Sequence, residues 1–253
     1  MSVKRTFYVT QEALSIWTRV DGRLAESAVF AIDDAGLRQF DSYLRTTAER
    51  PSAMLIDVIE EEFAPDTVPK LSLRDRQNLL ERRCNDKFRR TPYRLAKLYG
   101  KSVRGNGELD VLYSGISNHE LIDPWLQIIL QHRTPLSGIY SVPLLSPRVF
   151  RRLGAKNGNV LCVAPHQGNK LRQVFIVGGN VYSARLTQAS VPDPSDYAEL
   201  VISEVVRSRR YLESSPDEHP LQLSHLSRGL QALARDTRAL RLSLEGPLRE
   251  LSE

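Results

Sequence analysis

The sequence predicts an α/β protein in which a three-strand β meander followed by a helix occurs twice. Three short β-prone runs and an amphipathic helical stretch fill residues 5–50, and the same order returns at residues 160–212. Between the two copies lie further strand and helix patterns. They begin with a mostly apolar run at residues 53–59, of the kind that is buried on both faces of a sheet. The copies share no obvious sequence identity, so the repeat is one of structure.

The first copy is defined by a turn and by helical spacing. Asp21-Gly22 favours a tight hairpin turn between the second and third strands. Leu37, Phe40 and Leu44 then recur at helical spacing. The predicted order is meander, helix and apolar strand.

Cap residues mark the helices of the middle region. Ser72, with Asp75 three residues later, resembles a capping box and predicts a helix that continues to about Phe88. Asp123 followed by Pro124 predicts a capped helix start. The other elements predicted here are strands at residues 93–99, 109–116 and 136–142 and a short helix at residues 146–152.

The second copy ends in a helix with an apolar stripe. Gly178-Gly179-Asn180 favours a hairpin connection with positive φ rather than a nucleotide-binding loop. The helix predicted at residues 196–212 places four residues on its core side: Val201, Val205, Ser208 and Leu212.

A leucine seam follows a polar linker near the end of the chain. Residues 214–218 form the linker, and the seam then alternates steps of three and four residues, as in a coiled coil. Its members are Leu223, Leu226, Leu230, Leu233, Thr237, Leu240 and Leu244. This pattern predicts either a dimerising or partner-binding helix or an amphipathic helix that packs on its own domain.

Composition and charge describe a globular protein with one basic region. The chain has 253 residues, 41% of them hydrophobic and 26% charged, and a net charge of +5. No signal-peptide pattern opens it, so we expect a cytoplasmic start and reduced, buried cysteines at Cys84 and Cys162. The basic stretch, residues 74–104, carries eleven Lys or Arg against three Asp or Glu. It favours a solvated helix face, with an acidic partner, acidic lipid or nucleic acid as alternatives.

The second meander and the helix after it resemble a known motif. Ser183 and Arg185 end a strand, and Glu204, Arg207 and Ser208 form a Glu-x-x-Arg-Ser pattern on the helix. This combination resembles the PilM and GspL group, the actin-like proteins of type IV pilus assembly and type II secretion. The resemblance implies an actin-like (RNase H-like) two-lobed α/β fold, degenerate or truncated, with the meander-plus-helix unit repeated.

The resemblance also implies domain boundaries. The first lobe would occupy residues 1–153, and residues 154–213 would supply the meander and helix of an incomplete second lobe. The linker and the leucine-rich helix would fill residues 214–253.

The phosphate loops of the fold are altered in this chain. Actin-like nucleotide binders carry Asp-x-Gly after the first strand of each meander, where backbone N–H groups meet phosphate and the carboxylate holds Mg²⁺. Here TQE stands at residues 10–12 and APH at residues 164–166. Pro165 has no N–H to donate, and Lys170 in the following turn is expected to be solvated. We therefore expect no cofactor, with ATP and Mg²⁺ as the less favoured alternative.

Catalytic patterns are absent from the sequence. The five histidines lack the HxxxH and HExxH spacings of metal sites, and no GxSxG occurs. Asp57 lies within the apolar strand and the acids at residues 60–62 just after it. A solvated strand end is favoured there over a metal site, because no second group of acids or histidines is spaced to complete one. The chain is therefore not expected to be an enzyme.

The function that the resemblance implies is a non-catalytic cytoplasmic scaffold at the inner membrane. Its implied partners are the secretion or pilus assembly ATPase and an inner-membrane platform protein. Arg82, Arg83, Arg89 and Arg90 are the candidate acidic-partner surface, and Leu226, Leu230, Leu233, Leu240 and Leu244 the candidate dimer contact. If the natural chain continues past Glu253, a membrane helix is expected there.

Two alternatives to the scaffold stay open. One is a PilM-like ATP-binding protein with atypical phosphate loops. The other is a nucleic-acid-binding module that uses the basic stretch, although no nucleic-acid partner is favoured because aromatic residues are sparse on it.

Overall fold

The computed structural model describes residues 3–47, 49–102, 107–152, 159–167, 169–189 and 194–213. Within these residues three β-sheets carry helices packed against them. The elements are, in chain order, β1 (Val3–Val9), β2 (Ala13–Val20), β3 (Arg23–Ala31), α1 (Asp34–Thr46), β4 (Ser52–Ile56), β5 (Glu61–Pro69), α2 (Leu73–Lys87), β6 (Arg94–Lys101), β7 (Glu108–Ile116), α3 (Asp123–Gln131), β8 (Leu136–Ser141), α4 (Val142–Arg152), β9 (Val160–His166), β10 (Lys170–Val177), β11 (Asn180–Gln188) and α5 (Pro194–Glu213).

The first sheet has five strands in the order β3-β2-β1-β4-β8. The predicted meander forms its antiparallel part, and β4 and β8 extend it in parallel with β1. Asp21 and Gly22 both have positive φ, 48° and 84°, as the predicted hairpin turn requires. Helices α1 and α3 pack on one face of this sheet, where Phe40 and Trp125 meet the strand residues of the main core.

The second sheet has the order β5-β7-β6 and is covered by α2. Ser72 caps α2 and accepts a hydrogen bond from the backbone N–H of Asp75, as predicted. Cys84 and Phe88 are buried against the sheet. Arg74 and Arg82 are exposed, whereas Arg76 and Arg83 are half-buried. The position of the predicted helix is confirmed, and so is the burial of Cys84 and Phe88 on its inner side.

The third sheet is the second meander, β9-β10-β11, with α5 on one face. Its other face shares a core with the second sheet and α4, through contacts among Leu112, Val174 and Ile176. The stripe of α5 is confirmed at Val201, Val205 and Ser208, which are all buried. The repeated meander-plus-helix order is therefore present in the folded chain.

The short helix predicted at residues 146–152 begins earlier than expected, at Val142. The sequence analysis was wrong at three further places in the fold. It extended the apolar strand to residue 59, but β4 ends at Ile56 and a strand that was not predicted, β5, begins at Glu61. Pro65 and Pro69 made this segment look like a loop. Proline is tolerated there because β5 is the edge strand of its sheet.

The other two corrections concern α3 and β4. Ile122, not Asp123, is the N-cap of α3, and Asp123 is the first helical residue, accepting hydrogen bonds from Tyr93 and His119 instead. The strand β4 is buried on one face only, because Ala53 and Leu55 remain half-buried.

Candidate functional site

The turn after β1 lies where the first phosphate loop of the fold would be, and its own threonine closes it. Thr10 Oγ1 accepts hydrogen bonds from the backbone N–H groups of Glu12 and Ala13 at 3.2 and 3.3 Å. The N–H of Thr10 itself bonds to the carbonyl of Ala13 at 3.1 Å. These three donors are engaged within the turn, so they do not point to a phosphate.

The turn between β9 and β10 meets the first turn directly. Lys170 Nζ lies 2.6 Å from Glu12 Oε1, and only 15% of the Lys170 side chain is exposed. Thr10 donates a hydrogen bond to Gln167 Oε1 at 3.1 Å. The hydrogen bond and charge of Lys170 lower the pKa of Glu12. The prediction that Lys170 is solvated is therefore wrong, because an acid of the first meander binds it.

A buried ionic group, which we call the cleft cluster, lies beside these turns and consists of Tyr8, Asp57, His166 and Arg172. Asp57 follows β4 and is 4% exposed. Its carboxylate forms an ion pair with Arg172, lies 3.2 Å from His166 Nε2, and accepts a hydrogen bond from Tyr8 at 3.0 Å. Arg172 also donates to the carbonyl of Val58 at 3.1 Å. The cluster joins the third sheet to the ends of β1 and β4.

The electrostatics of the cleft cluster follow from burial and pairing. Burial by itself would raise the pKa of Asp57, but the hydrogen bond from His166 and the charge of Arg172 hold that pKa below its usual value. Burial and the nearby carboxylate of Asp57 raise the pKa of Tyr8 well above its ordinary value. The folded chain therefore keeps Asp57 ionised and Tyr8 protonated at neutral pH.

A second buried acid, Glu61, stands at the start of β5, and no cation of the described residues forms an ion pair with it. It is 5% exposed and accepts a hydrogen bond from Ser114 at 3.1 Å. Burial raises its pKa to about 7. The prediction of a solvated strand end is thus wrong for Asp57 and Glu61.

The motif residues of the second meander and α5 form a polar group that we call the helix cluster: Gln173, Arg185, Glu204, Arg207 and Ser208. Arg185 donates to Glu204 at 3.1 Å and to Ser208 at 2.7 Å. Arg207 pairs with the other oxygen of Glu204 at 2.7 Å. Gln173 donates to Glu204 at 3.1 Å and accepts from Ser208. Four of the five motif residues predicted from sequence are therefore in contact, and Gln173 is the member that was missed.

The fifth motif residue, Ser183, lies beside this cluster. It lines a cavity of about 330 Å³ together with Gln173, Arg185 and Ser208. Phe63 of β5 and Phe175 of β10 supply part of the apolar lining. The motif thus surrounds a small partly polar cavity.

The predicted acidic-partner surface lies on and just after α2. Arg82, Arg89 and Arg90 are exposed. Arg83 is half-buried and is held by Asp66 at 3.3 Å and by the carbonyl of Thr67 at 2.9 Å. Three of the four arginines are therefore accessible, whereas Arg83 is tied to its own sheet.

The remaining expectations concern the dimer contact, metal binding, a membrane helix and the two cysteines. The predicted dimer contact, residues 226–244, lies outside the described residues. Among the residues that the structure describes, no group of three or more His, Cys, Asp or Glu is arranged to hold a metal ion. Nor does any described helix have the length and hydropathy to cross a membrane. Cys84 is buried, and burial raises the pKa of the half-buried Cys162 to about 12.

Structural comparison gives two close similarities in fold. One is to a PilM–PilN type IV pilus biogenesis complex, with a TM-score of 0.56 and 12% identity over 83% of this chain and 76% of that one. The other is to the cytoplasmic domain of EpsL, an inner-membrane component of the type II secretion system of Vibrio cholerae. Its TM-score is 0.50, with 12% identity over 87% of this chain and 83% of that one. This chain has the actin-like fold of the PilM and GspL group. No family model and no curated protein matches the sequence.

Sequence reasoning missed the cleft cluster because its members are far apart in the chain. Asp57 and Arg172 are separated by 115 positions, and no local spacing connects them. One signal was present: Arg172 lies between Leu171 and the apolar run that begins at Val174, and a charge in a buried strand requires a partner.

Proposed function

We propose that the chain is a non-catalytic, actin-like scaffold of a type IV pilus or type II secretion assembly platform. It would act in the cytoplasm at the inner membrane, and would bind a platform protein of that membrane and the assembly ATPase. The proposal is supported by the fold, which extends over most of the chain, and by the assemblies that the two similar structures belong to.

The observation that carries the non-catalytic part is the contact between the two meanders. The turns that would hold phosphates are joined by the pair Glu12–Lys170 and by the bond from Thr10 to Gln167. Pro165, in the position of a loop donor, lies within β9 and has no N–H. At this place Lys170 pairs with Glu12 and Arg172 with Asp57, both acids of the chain itself.

An ATP-binding role is the second candidate, and the fold itself favours it. Nucleotide would have to displace Glu12 from Lys170, because the triphosphate and this carboxylate would compete for the same cation. The ATP-binding alternative therefore predicts weak nucleotide binding that depends on Lys170.

The partner surface that we propose is the exposed part of the arginine group on and just after α2. Arg82, Arg89 and Arg90 give it a positive charge, and Arg89 pairs with Asp86 at 3.2 Å. Arg83 would act by holding α2 on its sheet rather than by touching a partner. An acidic protein surface fits this arrangement through charge complementarity.

Charge reversal tests the docking proposal. We expect R82E/R89E/R90E to weaken binding of the purified assembly ATPase of the same organism by about tenfold or more at physiological salt. The matched control is K4E/R23E/R38E, which reverses three exposed charges on the first sheet and α1.

The control should bind the ATPase as the parent chain does. Equal affinity for the parent and R82E/R89E/R90E would remove the assignment of this surface. A salt-dependent shift of DNA or RNA by the parent chain, abolished in the same variant, would instead support the nucleic-acid alternative.

A further inference from the structure

A cavity of about 290 Å³ lies between the first and second sheets. Its walls come from β4 and β8 of the first sheet, from β5, β6 and β7 of the second, and from the start of α4. A water molecule in the liquid takes about 30 Å³, so the cavity has room for a small organic molecule. We call it the Glu61 cavity, after the buried acid in its wall.

Strand register explains how Glu61 comes to face this cavity. Residues that pair across neighbouring strands point to the same side of a sheet, and so do residues two positions apart on one strand. Glu61 pairs with Ile116 on β7, and Ser114, two positions earlier, pairs with Leu95 on β6. These four residues therefore share one face of the second sheet, and α2 covers the other face.

One oxygen of the Glu61 carboxyl has no hydrogen-bond partner in the described part of the chain. Ser114 donates to Oε1 at 3.1 Å, whereas Oε2 is buried and unpaired there. The Ser141 hydroxyl also faces this carboxyl and lowers its pKa, but it does not meet Oε2 with hydrogen-bond geometry. A buried carboxyl oxygen of this kind requires a partner.

Two cations near the Glu61 cavity are engaged by other groups. The charge of Arg172 lowers the pKa of Glu61, but Arg172 itself pairs with Asp57. Arg94, in the cavity wall, is exposed and donates to the carbonyl oxygen of Thr91 at 2.6 Å. Neither of them forms an ion pair with Glu61.

The wall of the cavity indicates which kind of partner fits. An ionised carboxylate in an apolar site must pair with a cation or take up a proton. A metal ion would require several oxygen ligands, and the described residues contain no group of three or more His, Cys, Asp or Glu arranged to hold one. Most of the wall is instead apolar, and its apolar members are Ile56, Pro92, Leu95, Ile116, Ile139 and Leu144.

We propose that the Glu61 cavity binds a small organic cation, whose ammonium or guanidinium head pairs with Glu61 and whose short hydrocarbon part contacts the apolar wall. Ser114 would hold the carboxylate through its bond to Oε1 and leave Oε2 for the cation. Access is at the edge formed by Leu95 and Ile139, which are 48% and 36% exposed. The site is separate from the proposed partner surface, because α2 lies on the other face of the second sheet.

Binding of such a cation depends on the charge of Glu61. Burial raises its pKa to about 7, and the charge of Asp57 adds to this rise. Below that pH a proton occupies the carboxyl and competes with the cation, so we expect the affinity to be about tenfold lower at pH 6 than at pH 8. Tyr93 in the wall donates to Asp123 at 2.6 Å and stays protonated over this range, because its pKa is raised.

Calorimetric titration of the full chain with n-butylammonium in phosphate buffer tests the proposal. We expect saturable binding of one cation per chain at pH 8, in the millimolar range. The neutral analogue of the same length, 1-butanol, should bind at least about tenfold more weakly, because it cannot compensate the buried carboxylate.

Two matched variants complete the test. Glu61→Gln removes the charge and should abolish saturable binding at both pH values, whereas Glu62→Gln makes the same change at the exposed neighbour and should bind as the parent chain does. Equal affinity of the parent chain and Glu61→Gln for the cation would overturn the proposal. So would an absence of saturable binding by the parent chain at pH 8, an affinity that is the same at pH 6 and pH 8, or equal binding of 1-butanol.

Discussion

Two neighbouring residues of β10 anchor the two polar clusters and point to opposite faces of the third sheet. Arg172 reaches Asp57 in the cleft cluster, and Gln173 reaches Glu204 in the helix cluster. The cleft cluster joins two different sheets. The helix cluster stays within one meander-plus-helix unit.

The two clusters therefore have different structural roles. The helix cluster holds one meander-plus-helix unit together, and the cleft cluster joins this unit to the first sheet. All members of the helix cluster lie within residues 173–208, so a local sequence motif contains most of them. Arg185 and Arg207 remain 43% and 68% exposed. The cleft cluster is almost entirely buried, with Arg172 7% and Asp57 6% exposed in their side chains. Its charges compensate each other between the sheets, in the region where an actin-like nucleotide binder would place its ligand.

The largest effect is expected from breaking the cleft cluster. Arg172→Met leaves the Asp57 carboxylate buried without its main cation, so we expect a loss of about 3–5 kcal/mol in the free energy of unfolding. Denaturant unfolding measures it.

A double substitution controls this prediction. D57N/R172M removes both charges and should recover much of the loss, since no isolated buried charge remains. A single variant as stable as the parent chain would show that the pair is not buried as described.

The next effect concerns Glu61, a buried acid that forms no ion pair with the described residues, in contrast to Asp57. Its pKa of about 7 lies above the unfolded value, so its contribution to stability is full below the unfolded pKa and is lost as the pH rises through about 7. Glu61→Gln should therefore stabilise the chain at pH 8, by an amount of the order of 3 kcal/mol, and by much less at pH 5.

Thermal unfolding as a function of pH checks this expectation. The lowered pKa of Asp57 has the opposite consequence, because its contribution is present above the unfolded pKa and is lost as the pH falls through the folded pKa. A gain from Glu61→Gln that is equal at pH 5 and pH 8 would contradict the raised pKa.

Smaller effects are expected in the helix cluster. Glu204→Gln removes the acid shared by Arg185 and Arg207, and we expect a loss of about 1–2 kcal/mol, because both arginines keep access to solvent. Arg207→Met should cost less than about 0.5 kcal/mol, since this side chain is 68% exposed. Equal losses for the two substitutions would contradict the ranking.

Local patterns predicted the elements, and long-range contacts escaped them. The turn at Asp21-Gly22, the cap at Ser72 and the stripe of α5 each depend on neighbours a few positions apart, so spacing was enough to find them. The strand β5 was missed because its prolines indicate a loop unless the edge position is known.

The residues of the candidate site show the same contrast between local patterns and long-range contacts. Arg185, Glu204 and Ser208 belong to a local motif, whereas His166 and Arg172, two partners of Asp57, lie more than a hundred positions away on another sheet. The burial of Glu61 likewise depends on how β5 meets β7, which no local pattern shows.

The most direct test of the central claim is calorimetric titration of the full chain with Mg-ATP at millimolar concentration. The contact between the meanders predicts no saturable heat for the parent chain, because Lys170 and Arg172 are bound to the chain's own acids. Saturable binding of one nucleotide per chain, weakened by Lys170→Met, would contradict the scaffold proposal and establish a nucleotide site between the two meanders.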